Sequence, residues 1–157
     1  MNIIGRAPID PVIFYTGKLT GYTVWGVWVL SATGVADFTV LAVHILQQFS
    51  FITFGAGLIL VIFSLINLGK STRLGLPDED TELQTNGLYR FSRHPMYLGF
   101  HLFTLSAMLL TLNPFVIFGG AYSVVVYHYI IKAEEQFLDQ RFAQAYENYK
   151  QQVRRYL

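Results

Sequence analysis

The chain has 157 residues, 53% apolar and only 13% charged, with a formal net charge of +1. The charged share is about half that of a soluble domain, which points to a chain partly solvated by lipid, and the near-neutral balance excludes a nucleic-acid binder, which needs a basic surface. There is no cysteine, so disulfides, thiol nucleophiles and thiolate metal sites are excluded.

The length suits one domain, and residues 1–157 read as a single membrane domain. The first ten residues carry one basic residue, Arg6, and no short apolar core, so they do not read as a cleavable signal. A membrane-spanning helix needs about 20 mostly apolar residues. Residues 19–36 are the first such stretch, open to a start one turn earlier with Lys18 snorkelling, and residues 49–68 are the second, with no charge at all. Residues 97–131 are too long for one span and contain Asn113-Pro114, a turn signal, which divides them into 97–112 and 115–131. Past them, Leu138, Phe142, Tyr146, Tyr149 and Val153 recur at helical spacing over residues 132–153. This is an amphipathic helix that lies on the membrane surface or packs on the polar loop. The expected fold is all-α, a polytopic bundle of about four spans with that helix on the cytoplasmic side.

Lys and Arg set the orientation. The loop before the third span holds Lys70, Arg73, Arg90 and Arg93, the tail holds Lys132, Arg141, Lys150, Arg154 and Arg155, and the N-terminal segment holds Arg6 and Lys18. Residues 37–48 and the Asn113 turn hold none. Four spans place every basic segment on one side, with both termini cytoplasmic.

Residues 69–93 form the longest polar stretch, and connections of roughly 25 residues are usually functional or disordered. Asn86-Gly87 suits a turn with a positive backbone angle, and Pro95 suits the first turn of the third helix. Arg93 and His94 then sit at the N-terminus of that helix, where amides and dipole favour an anion. Singly, Arg90, Arg93 and His94 also suit plain interfacial anchoring. Gly99 would let a ligand or a neighbouring helix approach closely. Glu134-Glu135 follow the fourth span, where paired carboxylates must be solvated or partnered. They lie on the same side as Arg93 and His94, and the two sets could clamp a zwitterion such as an amino acid. His101 shares a helix face with His94, and His128 lies on the next helix, but no ligand spacing supports a metal site and no metal is expected. His44 and Asp37 read as interfacial, and Trp25, Trp28 and many tyrosines as interface belts or packing.

The run Leu83-x-Thr85-x-Gly87-x-Tyr89-x-x-x-Arg93-His94-Pro95-x-Tyr97-x-Gly99 resembles the cofactor motif of the integral membrane methyltransferases. That superfamily includes isoprenylcysteine carboxyl methyltransferases, phospholipid methyltransferases and the NnrU-like group with methanethiol methyltransferases. Asn113-Pro114, Glu134-Glu135, Leu138, Phe142, Tyr146, Tyr149, Val153 and Arg155 follow in order and spacing, so the likeness covers residues 65–157. It implies a helical membrane enzyme that binds S-adenosylmethionine in a cytoplasmic pocket built by residues 81–157. The methyl group would pass to a small or lipophilic acceptor, with a thiol, carboxylate, amine or phospholipid head group all open.

Carried over by position, Leu83 and Gln84 line the adenosine side, and Tyr89, His94, Tyr97, Leu98 and Gly99 touch the cofactor. Glu134 and Glu135 meet its ribose or amino-acid end. Arg93 and Glu134 are the expected catalytic pair, in the sense of positioning substrate or cofactor, because a sulfonium methyl donor is already activated. Two positions depart from the pattern. Ala143 stands where the family usually has Gly, and Ile130 stands where the isoprenylcysteine enzymes carry an Arg for the substrate carboxylate, which speaks against such a substrate. Two other functions compete. One is an NADPH-dependent reductase of the related sterol reductase type, which should carry more basic residues. The other is a non-enzymatic scaffold or transport protein.

Overall fold

Asp10 and Pro11 start the first helix earlier than the apolar pattern predicts. In the computed structural model, which describes residues 7–69 and 83–156, the Asp10 carboxylate caps the amides of Val12 and Ile13 and Pro11 opens helix α1, Pro11–Ala32. A side-chain cap and a proline at the first position satisfy or remove amides that the helix cannot pair. Helix α2, His44–Leu68, also begins before its expected span. Helix α3, Pro95–Thr111, and helix α4, Pro114–Gln152, meet at the predicted turn, where the Asn113 side chain accepts from the Phe115 amide at 3.0 Å. A short 3-10 turn, Gly87–Arg90, precedes α3. Every regular element among the described residues is helical, as expected.

Two helices, α2 and α4, are long and apolar enough to cross a membrane; α3 is apolar but has only 17 residues. Helix α1 is long enough but less apolar, since Lys18 and several Thr and Gly residues interrupt it. The basic residues Arg6, Lys70 and Arg73 lie outside the described residues.

Helix α2 packs along α3, and α1 crosses both α3 and α4. The α2–α3 contact is close because a Cβ on Gly57 would lie 2.9 Å from the Gly99 carbonyl, and one on Gly99 would lie 2.8 Å from that of Gly57. Small residues let membrane helices touch backbone to backbone. Polar side chains bridge the same helices. Trp28 of α1 donates to Ser50 of α2 at 2.7 Å, Ser50 donates to the Ser106 carbonyl of α3 at 2.8 Å, and Trp25 donates to Thr104 at 3.0 Å. Both tryptophans therefore act in packing rather than as an interface belt.

The two connections without Lys or Arg meet at one end of the bundle. The Val40 amide donates to the Thr111 carbonyl at 2.8 Å, and the Asn113 side chain donates to the Phe38 carbonyl at 3.1 Å. The 3-10 turn, the start of α3 and the C-terminal tail gather at the other.

Helix α4 breaks at Ala143, which has φ 42° and ψ −117°. The break turns the tail back, and Tyr146, Tyr149 and Val153 form a buried cluster with Leu83, Leu138 and Phe142. Of the two placements open to the tail, packing on the loop is the one observed.

Candidate functional site

Gly87 has φ +61°, a left-handed conformation that glycine adopts without strain, and any Cβ there would strike the Asn67 side chain at the end of α2. The turn leads the chain across the tail. The Arg93 amide donates to the Arg154 carbonyl at 3.0 Å, and the Ser92 hydroxyl to the Arg155 carbonyl at 3.2 Å. Tyr149 donates to the Tyr89 carbonyl at 2.6 Å. Burial, against the opposing charge of Arg93, pushes the Tyr149 hydroxyl up to about 12, so it keeps its proton and remains a donor. Pro95 then opens α3 with His94 as its N-cap residue, as expected.

These contacts carry Arg93 and His94 to the carboxylates of α4. Glu135 is buried, 6% exposed, and both of its oxygens are engaged. Oε1 accepts from Arg93 Nε at 3.1 Å and Nη2 at 2.7 Å, with His94 Nε2 at 3.3 Å. Oε2 accepts from Arg155 Nε at 3.0 Å and Nη2 at 2.6 Å. Burial alone would raise the Glu135 carboxyl, but the hydrogen bonds from His94, Arg155 and Arg93 outweigh it and hold the group well below the carboxylate range. The remaining Arg93 nitrogen, Nη1, donates to the Lys150 and Val153 carbonyls at 3.4 and 3.2 Å. Arg93 is thus fully occupied in tying α3 to the tail.

Glu134, the adjacent residue, has a different setting. Its Oε1 accepts from the Tyr97 hydroxyl at 2.5 Å. Burial pushes its carboxyl above the ordinary value of 4.5, and the charge of His94, the Tyr97 hydrogen bond and Lys18 counter this only in part. One carboxylate is locked by cations and its neighbour is held by a neutral group. Divergent pairs of this kind are a mark of functional sites.

The structure brings Arg93, His94, Tyr97, Glu134 and Glu135 together at one mouth, between the start of α3 and α4. It places the other predicted residues around that group. Leu83 packs on Tyr146, Tyr149 and Val153, and Gln84 donates to the Asn67 carbonyl. Tyr89 is buried beneath the tail. Leu98 lines a cleft between α3 and α4. Gly99 faces α2, so the close approach it permits here is by a neighbouring helix. Arg155 was missed as a site residue, although a buried glutamate beside a single arginine signals the need for a second cation. Lys18 was read as snorkelling; its ammonium stands 4.3 Å from the Phe14 ring centre and its charge acts on Glu134. Among the described residues, His101 and His128 join no group of metal ligands.

Residues 45–145 match the phospholipid methyltransferase family. The chain belongs to that family. Within it, the chain is 37% identical over 76 residues to the protein-S-isoprenylcysteine O-methyltransferase of Dictyostelium discoideum, covering 48% of this chain and 32% of that relative. It is 30% identical over 122 residues to the probable protein-S-isoprenylcysteine O-methyltransferase of Oryza sativa subsp. indica, covering 69% and 62% of the two chains. It is 33% identical over 84 residues to the enzyme of that name from Saccharomyces cerevisiae, covering 48% and 32%. The chain therefore spans from about a third to three fifths of the length of these relatives. The ion-paired Arg93, His94 and Glu135 lie within the matched region, and Arg155 lies beyond it.

Proposed function

We propose that this chain is an integral membrane methyltransferase that moves a methyl group from S-adenosylmethionine to a lipophilic acceptor. The observation that carries the reading is the carboxylate pair at the mouth of α3 and α4, with Glu135 neutralised by Arg93, His94 and Arg155 and Glu134 held by Tyr97 alone among neutral groups. In a member of the phospholipid methyltransferase family, that mouth suits an amino-acid and nucleoside ligand. Glu134 complements an ammonium or a ribose hydroxyl, and the start of α3 complements a carboxylate. Bound there, S-adenosylmethionine would supply an activated methyl group. Tyr97 holds the Glu134 carboxylate in place, and Arg93 and His94 act through Glu135 as positioning residues. Leu83, Gln84 and Tyr89 of the loop and Leu98 of α3 are placed around the pocket, while Gly99 is spent on the contact with α2.

The acceptor differs from a prenylcysteine carboxylate. Ile130 is 1% exposed and packs with Phe14 and Tyr97, so that position offers no cation. Four spans, with both termini and the mouth in the cytoplasm, fit the gathering of described basic residues at the mouth end and the connections without Lys or Arg at the other.

Calorimetry on detergent-purified protein tests the reading. Micromolar binding of S-adenosylmethionine, lost in Glu134→Ala and in His94→Ala, is the expected result. Binding of NADPH without S-adenosylmethionine would replace this function with a reductase, and binding of neither would leave a scaffold.

A further inference from the structure

A cleft of about 440 Å³ opens between α3 and α4. Its lining includes Leu98 and His101 of α3, Val125, His128 and Tyr129 of α4, and Tyr156 from the tail, and it contains no Lys, Arg, Asp or Glu. The cleft is separate from the mouth. The His101 ring lies 6.4 Å from that of Tyr127, which packs on that of Tyr97 at 5.7 Å, and both buried tyrosines stand between the cleft and Glu134. The cleft faces the bilayer instead. Val125 and Tyr129 on its α4 wall are 53% and 54% exposed and lie in the apolar part of a helix long enough to cross a membrane. An uncharged hollow at that depth has hydrocarbon chains beside it rather than water. Its rim at the mouth end carries a cation. Lys132 is exposed, one turn past His128, and its ammonium lies 5.9 Å from the ring centre of Tyr129. Residues two apart on a helix point about 200° apart, so Lys132 faces away from Glu134. Tyr156 closes the cleft from the tail side. Its hydroxyl lies 2.8 Å from His128 Nδ1 and its ring 5.9 Å from that of His101. The preceding residue, Arg155, pairs with Glu135 at 2.6 Å, so whatever fills the cleft bears on the mouth through its neighbour in the chain.

We propose that this cleft binds an acyl chain of an anionic phospholipid, with the phosphate on Lys132, and that the bound lipid fastens Tyr156 and through it the Arg155–Glu135 pair. The lipid is a resident ligand and not the methyl acceptor, because Tyr97 and Tyr127 bar the cleft from Glu134 and Lys132 holds the head on the other face of α4. The inference rests on α4 crossing the membrane and is independent of the group transferred. The two parts of the site divide the recognition between them. Apolar contact along Leu98 and Val125 supplies affinity for a chain and does not distinguish one phospholipid from another. The ammonium at the rim does, because a head with net negative charge gains from it and a zwitterionic head gains less. A chain lying against Tyr156 adds contacts that the tail must break before it can lift from the mouth, and local opening slows as such contacts accumulate.

Native mass spectrometry of the full chain, released from detergent micelles containing dioleoylphosphatidylglycerol or dioleoylphosphatidylcholine, tests the site. The wild type should retain phosphatidylglycerol at one per chain and bind it about fivefold more tightly than phosphatidylcholine, the effect of one lysine beside an anionic head. Lys132→Gln should erase that preference and leave phosphatidylcholine binding unchanged. Val125→Trp, which fills the cleft from an exposed position, should lose both lipids. Hydrogen exchange at the amides of residues 150–156 should slow several-fold when phosphatidylglycerol is added to the wild type, and should not change when it is added to Val125→Trp. Equal retention of the two lipids by the wild type, or retention of phosphatidylglycerol by Val125→Trp, overturns the site. Lipid binding that leaves exchange in the tail unchanged overturns the fastening. Both outcomes are distinct from failure of the methyltransferase reading, which calorimetry with S-adenosylmethionine reads separately.

Discussion

Glu134 and Glu135 are neighbours with opposite roles, and burial plus partner charge explains the difference. Glu135 meets two guanidiniums and an imidazole, and its folded-state pKa lies below the ordinary value of 4.5. Its stabilisation is therefore complete above that value and falls away as the pH drops below it. Glu135→Gln leaves Arg93, whose side chain is 10% exposed, without its anion, and should cost about 3–5 kcal/mol in a denaturant or thermal unfolding series. The wild type should lose stability as the pH falls below the ordinary carboxylate range, and the variant should lack Glu135's share of that loss. Glu134→Gln should unfold no more easily than wild type, because burial already disfavours its charge, while losing the ligand. Ala143 is a second residue-scale case. Its φ of 42° is the left-handed region that strains a side chain, by about 1–3 kcal/mol. It is exposed, so no packing opposes a change, and Ala143→Gly should raise the melting temperature of the purified protein.

At the scale of the elements, the contact of α2 with α3 depends on the absence of two side chains. A Cβ at Gly99 would lie 2.7 Å from Val61 Cγ2 and 2.8 Å from the Gly57 carbonyl, and the carbonyl cannot swing away without moving the helix. Gly99→Val should destabilise the fold by at least the roughly 1–3 kcal/mol typical of overpacking. Gly55→Ala, where nothing lies within 4 Å, should be neutral or slightly stabilising. Equal losses in the two variants would show that the helix pair does not pack this way. The same helices are bound by hydrogen bonds from Trp28 through Ser50 to the Ser106 carbonyl, which give α1 a fixed rotation against them.

For the whole molecule, the bundle has a plain end and a polar end. The plain end joins the 33–43 connection to the Asn113 turn. The polar end holds Arg93, Glu134, Glu135, Lys150 and Arg155, with Lys150 pairing Asp139 at 2.7 Å and Glu147 at 2.8 Å. Because the chain has no cysteine, single cysteines report the orientation cleanly. A membrane-impermeant maleimide on intact cells should label Asp37→Cys at once and Glu147→Cys only after permeabilisation. The reverse pattern would invert the proposed topology.

By itself the sequence determined the helical class, the division of residues 97–131 at Asn113-Pro114, the turn at Gly87, the start of α3 at Pro95, and the gathering of Arg93 and His94 with the Glu pair. Each rests on local chemistry: apolar run length, a proline, a glycine, or charges placed on one side of a hairpin. Helix starts were less legible, since α1 begins at the Asp10 cap, about two turns before Leu19, where a one-turn extension past Lys18 is as far as the apolar run reaches. Only the tertiary structure decided which carboxylate is spent on the fold. Glu134 and Glu135 are chemically identical and adjacent, and a helix turns successive residues by about 100°, so one points to the tail cations and the other to Tyr97. The same holds for Gly99, whose partner is α2, and for Tyr156 and His128, which lie 28 residues apart and meet only because the chain breaks at Ala143 and folds back. Long-range pairing depends on where the chain turns, and that depends on a single backbone angle.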